Sequence, residues 1–380
     1  MKIISLVLTF VLVLILASPA YALEIKKTEM NLDAKSVVLM DAATGIVLYS
    51  KNMNEALPPA SVTKIMTLLL VFESIDRGEL KFDDMVTVSE NASSMGGSQV
   101  FLEPGESMSV DELLKCVIVS SANDAALTLA ERVGGTEEAF VALMNQRAKE
   151  LGMNNTSFEN VTGLDDDVTN HLISAYDIAL MSKELLKHET VMDYTTIWMD
   201  TIRNGEFGLS NTNRLVKYYR GITGLKTGYT SGAGYCISAS AKRDGLHLIA
   251  VVMGAKTSSE RNVIASKLLD FGFANYCTYS DSASECGTVK ILGGMKDQVN
   301  VGYEEYKMLE NLGVKDKIEK EVVLFDCVNA PITKGDTLGK VLYRYNGKIL
   351  GENPIIALET VEKISFWNYF VKAFENLILN

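Results

Sequence analysis

The pattern of apolar and polar residues divides the first part of the chain into strands, then helices, then strands. SVVLMDAATGIVLY, residues 36–49, predicts two short strands around a turn. Strand patterns return where GYCISASAKRDGLHLIAVVMGA alternates small and apolar residues around an Asp244-Gly245 hairpin turn. Residues 60–200 between them have mostly helical patterns, and SSERNVIASKLLDFGF predicts one more helix. This order predicts an α+β domain over residues 23–275, in which a helical block packs on an antiparallel sheet of chain-distant strands.

Within the helical block, three local patterns predict two helix starts and one buried face. Ser109-Val110-Asp111-Glu112 is a capping box, S-x-x-E, and Ser174 is a second predicted cap. His171 lies close to that cap, which gives it a structural role. TEEAFVALMNQRAKELGM predicts a helix with one apolar stripe, made of Phe140, Leu143, Met144, Ala148 and Leu151.

The composition changes near TYSDSASECG, which is Ser-rich and turn-prone. This stretch predicts a linker over residues 276–285. Beyond it, GTVKIL, QVNVGY, EVVLFDCV, GKVLYRY and KILGENPIIAL predict short strands, and Asn346-Gly347 predicts a hairpin. Residues 286–362 are therefore expected to form a separate, small all-β domain.

The C-terminal segment KISFWNYFVKAFENLILN, residues 363–380, has a different pattern from the strands before it. As a helix it would carry Phe366, Trp367 and Phe370 on one face and polar residues largely on the other. Such a helix is expected to lie on a membrane surface rather than span it. The alternative is a terminal helix that packs on the β domain.

The N-terminus, MKIISLVLTFVLVLILASPAYA, has the pattern of a secretory signal peptide. Lys2 precedes a short apolar run, and Ala20-Tyr21-Ala22 is an A-x-A cleavage site, so we expect residues 1–22 to be removed. A retained anchor is the alternative, although the apolar run is short for a membrane span. The mature protein is then expected to work outside the cytoplasm, at the outer face of the cytoplasmic membrane.

Charge and cysteine content exclude several classes of partner and cofactor. The net charge of −12 argues against nucleic acid, because phosphate binding needs a basic surface. The chain has 5 cysteines, no C-x-x-C motif and only 3 histidines, so no metal site and no other cofactor is expected. Cys116 is predicted to be a buried thiol. Cys277 and Cys286 are placed where they could close a small loop.

One lysine stands out in PPASVTKIMTLLLVF, residues 58–72. A helix here would be apolar on nearly every side, yet it carries Lys64, and lysine is rarely buried without a partner. Ser61 precedes Lys64 by three residues, so the two side chains share one helix face. A lone S-x-x-K motif also fits a lysine that extends to solvent, and the rest of the chain must decide.

Two further motifs follow in order: Ser121-Ala122-Asn123 and Lys226-Thr227-Gly228. The triple S-x-x-K, S-x-N and K-T-G is a catalytic signature of penicillin-binding proteins and class A β-lactamases. With PASVTKIMT, SSANDAA, GLKTGYTSGAGYC and HLIAVVMGA, the chain resembles the low-molecular-mass penicillin-binding proteins, which are serine-type D-alanyl-D-alanine carboxypeptidases. The resemblance covers nearly the whole mature chain, including the β domain and the amphipathic tail.

The residues themselves suggest how the serine is activated. A serine hydroxyl is a weak nucleophile until a base takes its proton. Lys64 can be that base only if its pKa falls from about 10.4 to near 7. Burial in an apolar helix lowers a lysine pKa, and the cation of Lys226 would lower it further.

The resemblance implies roles for the other motif residues and for the partners. Ser121 would relay a proton to the leaving amine, and Asn123 would orient Lys64 and the substrate. Lys226 and Thr227 would hold the terminal carboxylate of a peptidoglycan stem peptide. β-Lactam antibiotics would acylate the same serine. The remaining implied contributions are a close backbone approach at Gly228, an oxyanion hole from the N–H groups of Ser61 and Tyr229, and further carboxylate binding by Arg261.

The motifs differ from those of relatives at two positions, and four alternative functions are compared with the carboxypeptidase. Ala122 stands where the lactamase motif has Asp, and Tyr229 follows K-T-G where relatives often have His. A secreted β-lactamase would need an E-x-x-L-N motif, and Glu159 in FENVTGLDDDVTNHL lacks the Leu-Asn. A D,D-endopeptidase would use the same residues, and an inactive peptidoglycan-binding module would not need them. A Ser-His-Asp hydrolase is excluded because the chain has no G-x-S-x-G motif.

Overall fold

The computed structural model describes residue 25 and residues 28–165 and 168–370. They fall into two compact units, with the boundary between Asn275 and Tyr276. The predicted signal peptide, 1–22, and residues 371–380 of the predicted tail lie outside the described residues, as do Asp166 and Asp167.

The first unit contains a five-stranded antiparallel sheet, several two-stranded ribbons and a block of helices. Its strands are β1 (Ser36–Asp41), β2 (Val47–Lys51), β3 (Ala56–Leu57), β4 (Met85–Thr87), β5 (Ser107–Ser109), β6 (Ile173–Ser174), β7 (Met199–Ile202), β8 (Phe207–Ser210), β9 (Ile222–Thr230), β10 (Gly234–Arg243) and β11 (Leu246–Ala255). Its α-helices span Lys64–Asp76, Glu90–Ser93, Val110–Val119, Asn123–Gly134, Glu137–Glu150, Ala175–Leu185, Val191–Thr195, Leu215–Tyr218 and Ser258–Asn275. Short 3-10 helices form at Ala60–Thr63 and Arg203–Gly205.

The main sheet has the strand order β2-β1-β11-β10-β9, so β1 from the start of the unit pairs with β11 from its end. This arrangement confirms the α+β prediction with a sheet of chain-distant strands. Val38 and Met40 point into the core of the helical block. Leu39 belongs to the opposite face, which the helix Ser258–Asn275 covers. A Cβ at Gly272 of that helix would lie 2.4 Å from Leu248, so the small residue permits close packing.

The local predictions in this unit are mostly confirmed. Ser109 and Ser174 both cap helices, because each hydroxyl accepts a backbone N–H three residues later. Asp244 and Gly245 both have positive φ in the β10–β11 hairpin, as a type I′ turn requires. The assignment of Leu143 to the buried stripe is wrong, since its side chain is 39% exposed. At 100° per residue, Leu143 lies about 60° to one side of Phe140, whereas Met144 and Ala148 lie on its other side and are buried.

The second unit is a β structure, as the sequence predicts. Its strands are β12 (Tyr276–Asp281), β13 (Ser284–Leu292), β14 (Gln298–Tyr303), β15 (Tyr306–Asn311), β16 (Glu319–Leu324), β17 (Cys327–Asn329), β18 (Thr337–Tyr345) and β19 (Lys348–Ala357), with a 3-10 helix at Lys315–Lys317. The main sheet has the order β16-β18-β19-β14-β13-β17, and Asn346-Gly347 forms the β18–β19 hairpin.

The segment 276–285 differs from its predicted role as a linker. Residues 276–281 form β12, which pairs with β15, and β13 begins at Ser284. Ser-rich composition favours turns, but here strand pairing and the buried Tyr276 outweigh that local preference. The sequence pattern did not predict a strand over Tyr306–Asn311, where β15 forms.

The segment after β19 completes the second unit. Residues 366–370 are helical, and Phe366 and Trp367 are 77% and 73% exposed. None of the helices in the described ranges combines the length and the apolar character that a membrane span requires. All five cysteines are free thiols, so the possible Cys277–Cys286 loop is not formed, and Cys116 is buried as predicted.

Candidate active site

Ser61 and Lys64 come together on a short turn that leads into a buried helix. Ser61 lies in the 3-10 helix Ala60–Thr63, and Lys64 begins the α-helix that follows. Lys64 Nζ lies 2.9 Å from Ser61 Oγ. Gly163 packs directly against this turn, because a Cβ at that position would lie 1.9 Å from the carbonyl oxygen of Ala60.

Three oxygen atoms surround Lys64 Nζ. Besides Ser61 Oγ, Asn123 Oδ1 lies at 2.5 Å and the carbonyl oxygen of Thr162 at 2.9 Å. Asn123 Nδ2 donates to the carbonyl oxygen of Gly96, which fixes the orientation of the amide and leaves Oδ1 as an acceptor only. An ammonium group can donate to all three oxygens. A neutral amine has two N–H donors and one lone pair, and only the Ser61 hydroxyl can donate to that lone pair.

The surroundings of Lys64 favour this neutral amine. Its side chain is fully buried, and burial lowers its pKa well below 10.5. The cation of Lys226 lowers the pKa further, and the charge of Asp124 only partly opposes the two effects. The puzzle of a lysine in an apolar helix is thereby explained: the helix supplies the environment that a basic amine needs.

Ser121 and Lys226 form a second serine–lysine pair. Lys226 Nζ donates to Ser121 Oγ at 2.8 Å and to the carbonyl oxygen of Thr227 at 2.9 Å. Ser121 has φ of +64°, a strained conformation for a residue other than glycine. Backbone strain of this kind is typical of functional sites. Burial and the nearby Arg261 lower the pKa of Lys226 to about 7. Among the described residues, neither lysine of the site has a carboxylate in hydrogen-bond contact.

Strand β9 forms one wall of the site. Gly228 lies against the Ser61 turn, since a Cβ there would lie 2.9 Å from the backbone nitrogen of Ser61. Thr227 Oγ1 donates to Thr212 Oγ1 at 2.7 Å. The Tyr229 side chain is 56% exposed and stacks on Tyr235 with ring centroids 4.3 Å apart. The strand thus brings its backbone close to the predicted nucleophile.

These residues line a cavity of about 770 Å³, a volume typical of small-molecule sites. Of the sequence-predicted residues, Arg261 reaches this cavity from the helix Ser258–Asn275. Its guanidinium is 5% exposed, donates to Asn262 Oδ1, and has its pKa lowered to about 10 by burial. The full lining is Ser61, Ser98, Ser121, Trp198, Ser210, Asn211, Thr212, Arg214, Lys217, Tyr218, Thr227, Gly228, Tyr229, Tyr235, Ser258 and Arg261.

Sequence reasoning missed part of the site. The carbonyl of Thr162 contacts Lys64, and no side-chain motif could reveal a backbone contact of this kind. Six residues of the segment 210–218 also line the cavity, and the basic and aromatic run RLVKYYR was the available signal. His171 has the expected structural role, since Nε2 contacts Thr63 Oγ1 and Nδ1 accepts the N–H of Glu159.

A buried serine–lysine pair on an apolar helix, beside a second pair and a strand edge, defines an acyl-transfer serine enzyme of the penicillin-binding type. The family model described as D-alanyl-D-alanine carboxypeptidase, Peptidase S11, matches residues 23–257. A second model, the C-terminal domain of penicillin-binding protein 5, matches residues 278–363. The chain belongs to the peptidase S11 family of D-alanyl-D-alanine carboxypeptidases.

Similar proteins support this membership along the whole chain. The D-alanyl-D-alanine carboxypeptidase DacF of Bacillus subtilis is 44% identical over 374 residues, which are 96% of each chain. The solved structure of penicillin-binding protein 5 from Haemophilus influenzae is 31% identical, with a TM-score of 0.75, and covers 89% of this chain and 100% of that one. Penicillin-binding protein D2 from Listeria monocytogenes, in an ampicillin-bound form, is 33% identical with a TM-score of 0.60, over 65% of this chain and 100% of that one.

Proposed function

We propose that this protein hydrolyses the terminal D-Ala-D-Ala bond of peptidoglycan stem peptides through an acyl-enzyme on Ser61. The observation that carries this proposal is the contact of 2.9 Å between Ser61 Oγ and the buried Lys64 Nζ. Lys64 has one partner that can give up a proton, and that partner is the hydroxyl of Ser61. The relatives named as D-alanyl-D-alanine carboxypeptidases favour this substrate.

In the acylation step, the neutral Lys64 amine takes the proton of Ser61, and Oγ bonds to the carbonyl carbon of the penultimate D-alanine. The backbone N–H groups of Ser61 and Tyr229 stabilise the negative oxygen of the intermediate, and one such donor is typically worth about 3–4 kcal/mol. The C–N bond then breaks. The proton that Lys64 took from Ser61 passes through Ser121 to the leaving amine, which leaves Lys64 neutral again. Ser121 Oγ lies 2.8 Å from Lys226 Nζ. Asn123 keeps Lys64 in position throughout.

In the second step, water attacks the ester and releases the shortened peptide. Lys64 takes one proton from the water, the bond between Oγ and the carbonyl carbon breaks, and Ser61 regains its proton. Ser61 and Lys64 each lose and regain the same number of protons over the two steps, so the enzyme returns to its starting state. No cofactor takes part in either step.

The terminal carboxylate of the substrate is assigned to Lys226, Thr227 and Arg261. Arg261 is buried and, among the described residues, donates to the neutral Oδ1 of Asn262, so an anionic ligand would complete its surroundings. The substrate backbone would pair along β9, where Gly228 leaves room for it. The tyrosine at 229 adds an exposed aromatic surface to this edge.

The loop around Glu159 favours a carboxypeptidase over a β-lactamase. A class A lactamase activates water with a glutamate, but the carboxylate of Glu159 accepts the N–H groups of Thr169 and Asn170. The same loop contributes the carbonyl of Thr162 to Lys64. A β-lactam is therefore expected to acylate Ser61 and remain bound, and an inactive binding module would have no reason to keep the two serine–lysine pairs.

The location follows from the ends of the chain and is part of the proposal. Cleavage after Ala22 would place the mature enzyme outside the cytoplasm, where peptidoglycan is found. The apolar face that begins with Phe366 and Trp367 would hold residues 363–380 on the outer surface of the cytoplasmic membrane. In this proposal the catalytic domain runs from residue 23 to 275, and the β domain predicted over 286–362 also includes β12, which begins at Tyr276.

The test uses the mature chain, fluorescent penicillin and a denaturing gel, beside Ser61→Ala and the control Ser94→Ala. Ser94 is exposed, and its hydroxyl donates to the nearby carbonyl of Asn91. We expect a stable label on wild type and Ser94→Ala and none on Ser61→Ala. Wild type and Ser94→Ala should also release D-alanine from an acyl-D-Ala-D-Ala peptide, whereas Ser61→Ala should not. A label that disappears quickly would support the lactamase, and folded protein without any label would support the binding module.

A further inference from the structure

The cavity at the active site has an unusual charge for this protein. The chain carries 48 acidic and 36 basic residues. Among the described residues that line the cavity, however, there are three cations, Arg214, Lys217 and Arg261, and no aspartate or glutamate. Lys226 adds a fourth cation next to Thr227. In this acidic protein, the described lining of the cavity therefore carries positive charge without a carboxylate.

The cations also lie close enough to repel one another. Arg261 lowers the pKa of Lys226, and Arg214 contributes to lowering the pKa of Arg261, after the larger effect of burial. None of the ion pairs among the described residues involves Arg214 or Arg261. Like charges that converge without counter-ions are unfavourable in the free protein. An anionic ligand would relieve them.

One terminal carboxylate accounts for Lys226 and Arg261, which are both buried, but it does not account for the exposed cations. Lys217 Nζ lies 5.5 Å from the centre of the Trp198 ring, so its charge already has a partner. Arg214 is exposed, lines the cavity and has no such contact. It is the cation left to be explained.

The position of Arg214 indicates which part of a substrate it would meet. Thr212, two residues away, accepts the hydroxyl of Thr227 at 2.7 Å. Thr227 is assigned to the carboxylate of the leaving residue, so the segment 212–218 lies on the leaving-group side of the scissile bond. The cavity volume of about 770 Å³ is in the range that accepts drug-sized ligands, which are much larger than one alanine.

We infer that Arg214 is a specificity residue for leaving groups that carry a second carboxylate. Two kinds of leaving group have this chemistry: an acidic D-amino acid, and the second stem peptide of a crosslink. This inference rests on the proposed function, because it uses the assignment of Thr227 and Arg261 to the first carboxylate.

The experiment compares kcat/KM for three peptides with the same acyl part, ending in D-Ala-D-Ala, D-Ala-D-Glu and D-Ala-D-Gln. D-Glu and D-Gln have nearly the same shape and differ in one charge. We expect wild type to prefer D-Glu over D-Gln by about tenfold at low ionic strength, as for a hydrogen bond between charged groups. In Arg214→Gln this ratio is expected to fall to about one. Arg214→Lys, which keeps the charge, is expected to retain part of the preference.

Arg220→Gln is the matched control, because Arg220 is also exposed, lies six residues away and is outside the cavity lining. Its D-Glu to D-Gln ratio is expected to equal that of wild type. A wild-type ratio near one, with D-Ala-D-Ala hydrolysed normally, overturns the inference and leaves the proposed function intact. A preference that survives in Arg214→Gln also overturns it. If no D-Ala-D-Ala peptide is hydrolysed, the proposed function fails, and the inference fails with it.

A second set of substrates separates the two kinds of leaving group. Crosslinked stem-peptide dimers are compared with and without amidation of the second carboxylate on the leaving strand. A preference for the free carboxylate that depends on Arg214 assigns the site to crosslinks. If the preference appears only with the D-Glu peptide, the site is assigned to acidic amino acids.

Discussion

The floor of the active site and the helical surface around Arg147 place basic side chains in opposite surroundings. Lys64, Lys226 and Arg261 are at most 5% exposed, and their hydrogen-bond partners are neutral oxygens. Arg147 is partly exposed and forms ion pairs with Glu73 at 2.8 Å and Glu184 at 3.0 Å.

The difference shows which charges serve the fold and which serve the chemistry. A paired cation near the surface is compatible with stability, whereas a buried cation without a counter-ion lowers stability. A buried basic side chain without a counter-ion is therefore expected where it has a function. Here the buried side chains supply a basic amine, Lys64, and a site for an anion. Substitutions should therefore separate activity from stability in the two regions.

The largest expected effect comes from exchanging Lys64 for methionine. Lys64→Met keeps the volume and apolar fit of the side chain but removes the base, so the rate of penicillin acylation should fall about 10³-fold. Arg147→Met should do the reverse: it leaves Glu73 and Glu184 facing each other and lowers the free energy of unfolding by about 1–2 kcal/mol. The measurements are labelling rates and urea unfolding. Near wild-type labelling of folded Lys64→Met would refute the assignment of the base.

A second prediction concerns the close approach of Gly163 to the Ser61 turn. Gly163 and Gly105 have similar positive φ angles, +84° and +81°. An alanine at either position is strained by about 1–2 kcal/mol. A Cβ at Gly105 has open space, whereas one at Gly163 would lie 1.9 Å from the Ala60 carbonyl oxygen. Gly163→Ala should therefore displace the turn and slow labelling by about 10²-fold.

Gly105→Ala is the control for this comparison, because it introduces the same backbone strain away from the site. Its labelling rate should stay within about twofold of wild type, with only a loss of stability. If both variants label at the same rate, the position of the turn does not depend on Gly163. Circular dichroism establishes that each variant is folded before the rates are compared.

The sequence predicted the parts of this contrast that depend on side-chain type and periodicity. The apolar helix around Lys64, the order of the three motifs and the hairpins at Asp244 and Asn346 are all visible as local patterns. Family resemblance brought Ser121 and Lys226 together, although they are 105 residues apart.

The parts that escaped prediction depend on tertiary contacts. The carbonyl of Thr162 and the cavity segment that carries Arg214 are positioned by loops whose paths no periodicity determines. The sequence predicts a linker at β12 because the stretch TYSDSASECG is Ser-rich and turn-prone, and the pairing with β15 makes residues 276–281 a strand. Leu143 was misplaced because a helix has a narrow buried stripe where it packs on one neighbour.

The last expected effect is a pH dependence of stability that distinguishes the two kinds of basic side chain. Burial, with Arg261, lowers the pKa of Lys226 from 10.5 to about 7. Between these pH values the unfolded chain holds a proton that the folded chain has released, so the free energy of unfolding rises with pH. One such lysine contributes a slope of up to about 1.4 kcal/mol per pH unit. Lys226→Met should lose this rise between about pH 7.5 and about pH 9.5.

Lys115 is the matched control for Lys226, because it lies in the same unit and its pKa moves in the opposite direction. Burial acts to lower the pKa of Lys115, but the carboxylates of Asp111 and Asp200 outweigh it and raise the value above 10.5. Its contribution to stability is therefore present from about pH 7.5 to about pH 9.5. Lys115→Met should change the free energy of unfolding by the same amount at both of these pH values. Urea unfolding, followed by Trp198 fluorescence with Trp367→Phe as the common background, measures both variants. If the free energy of unfolding of Lys226→Met rises with pH as steeply as that of wild type, the pKa of Lys226 is not lowered by burial. The contrast between the active-site floor and the surface around Arg147 would then fail for this residue.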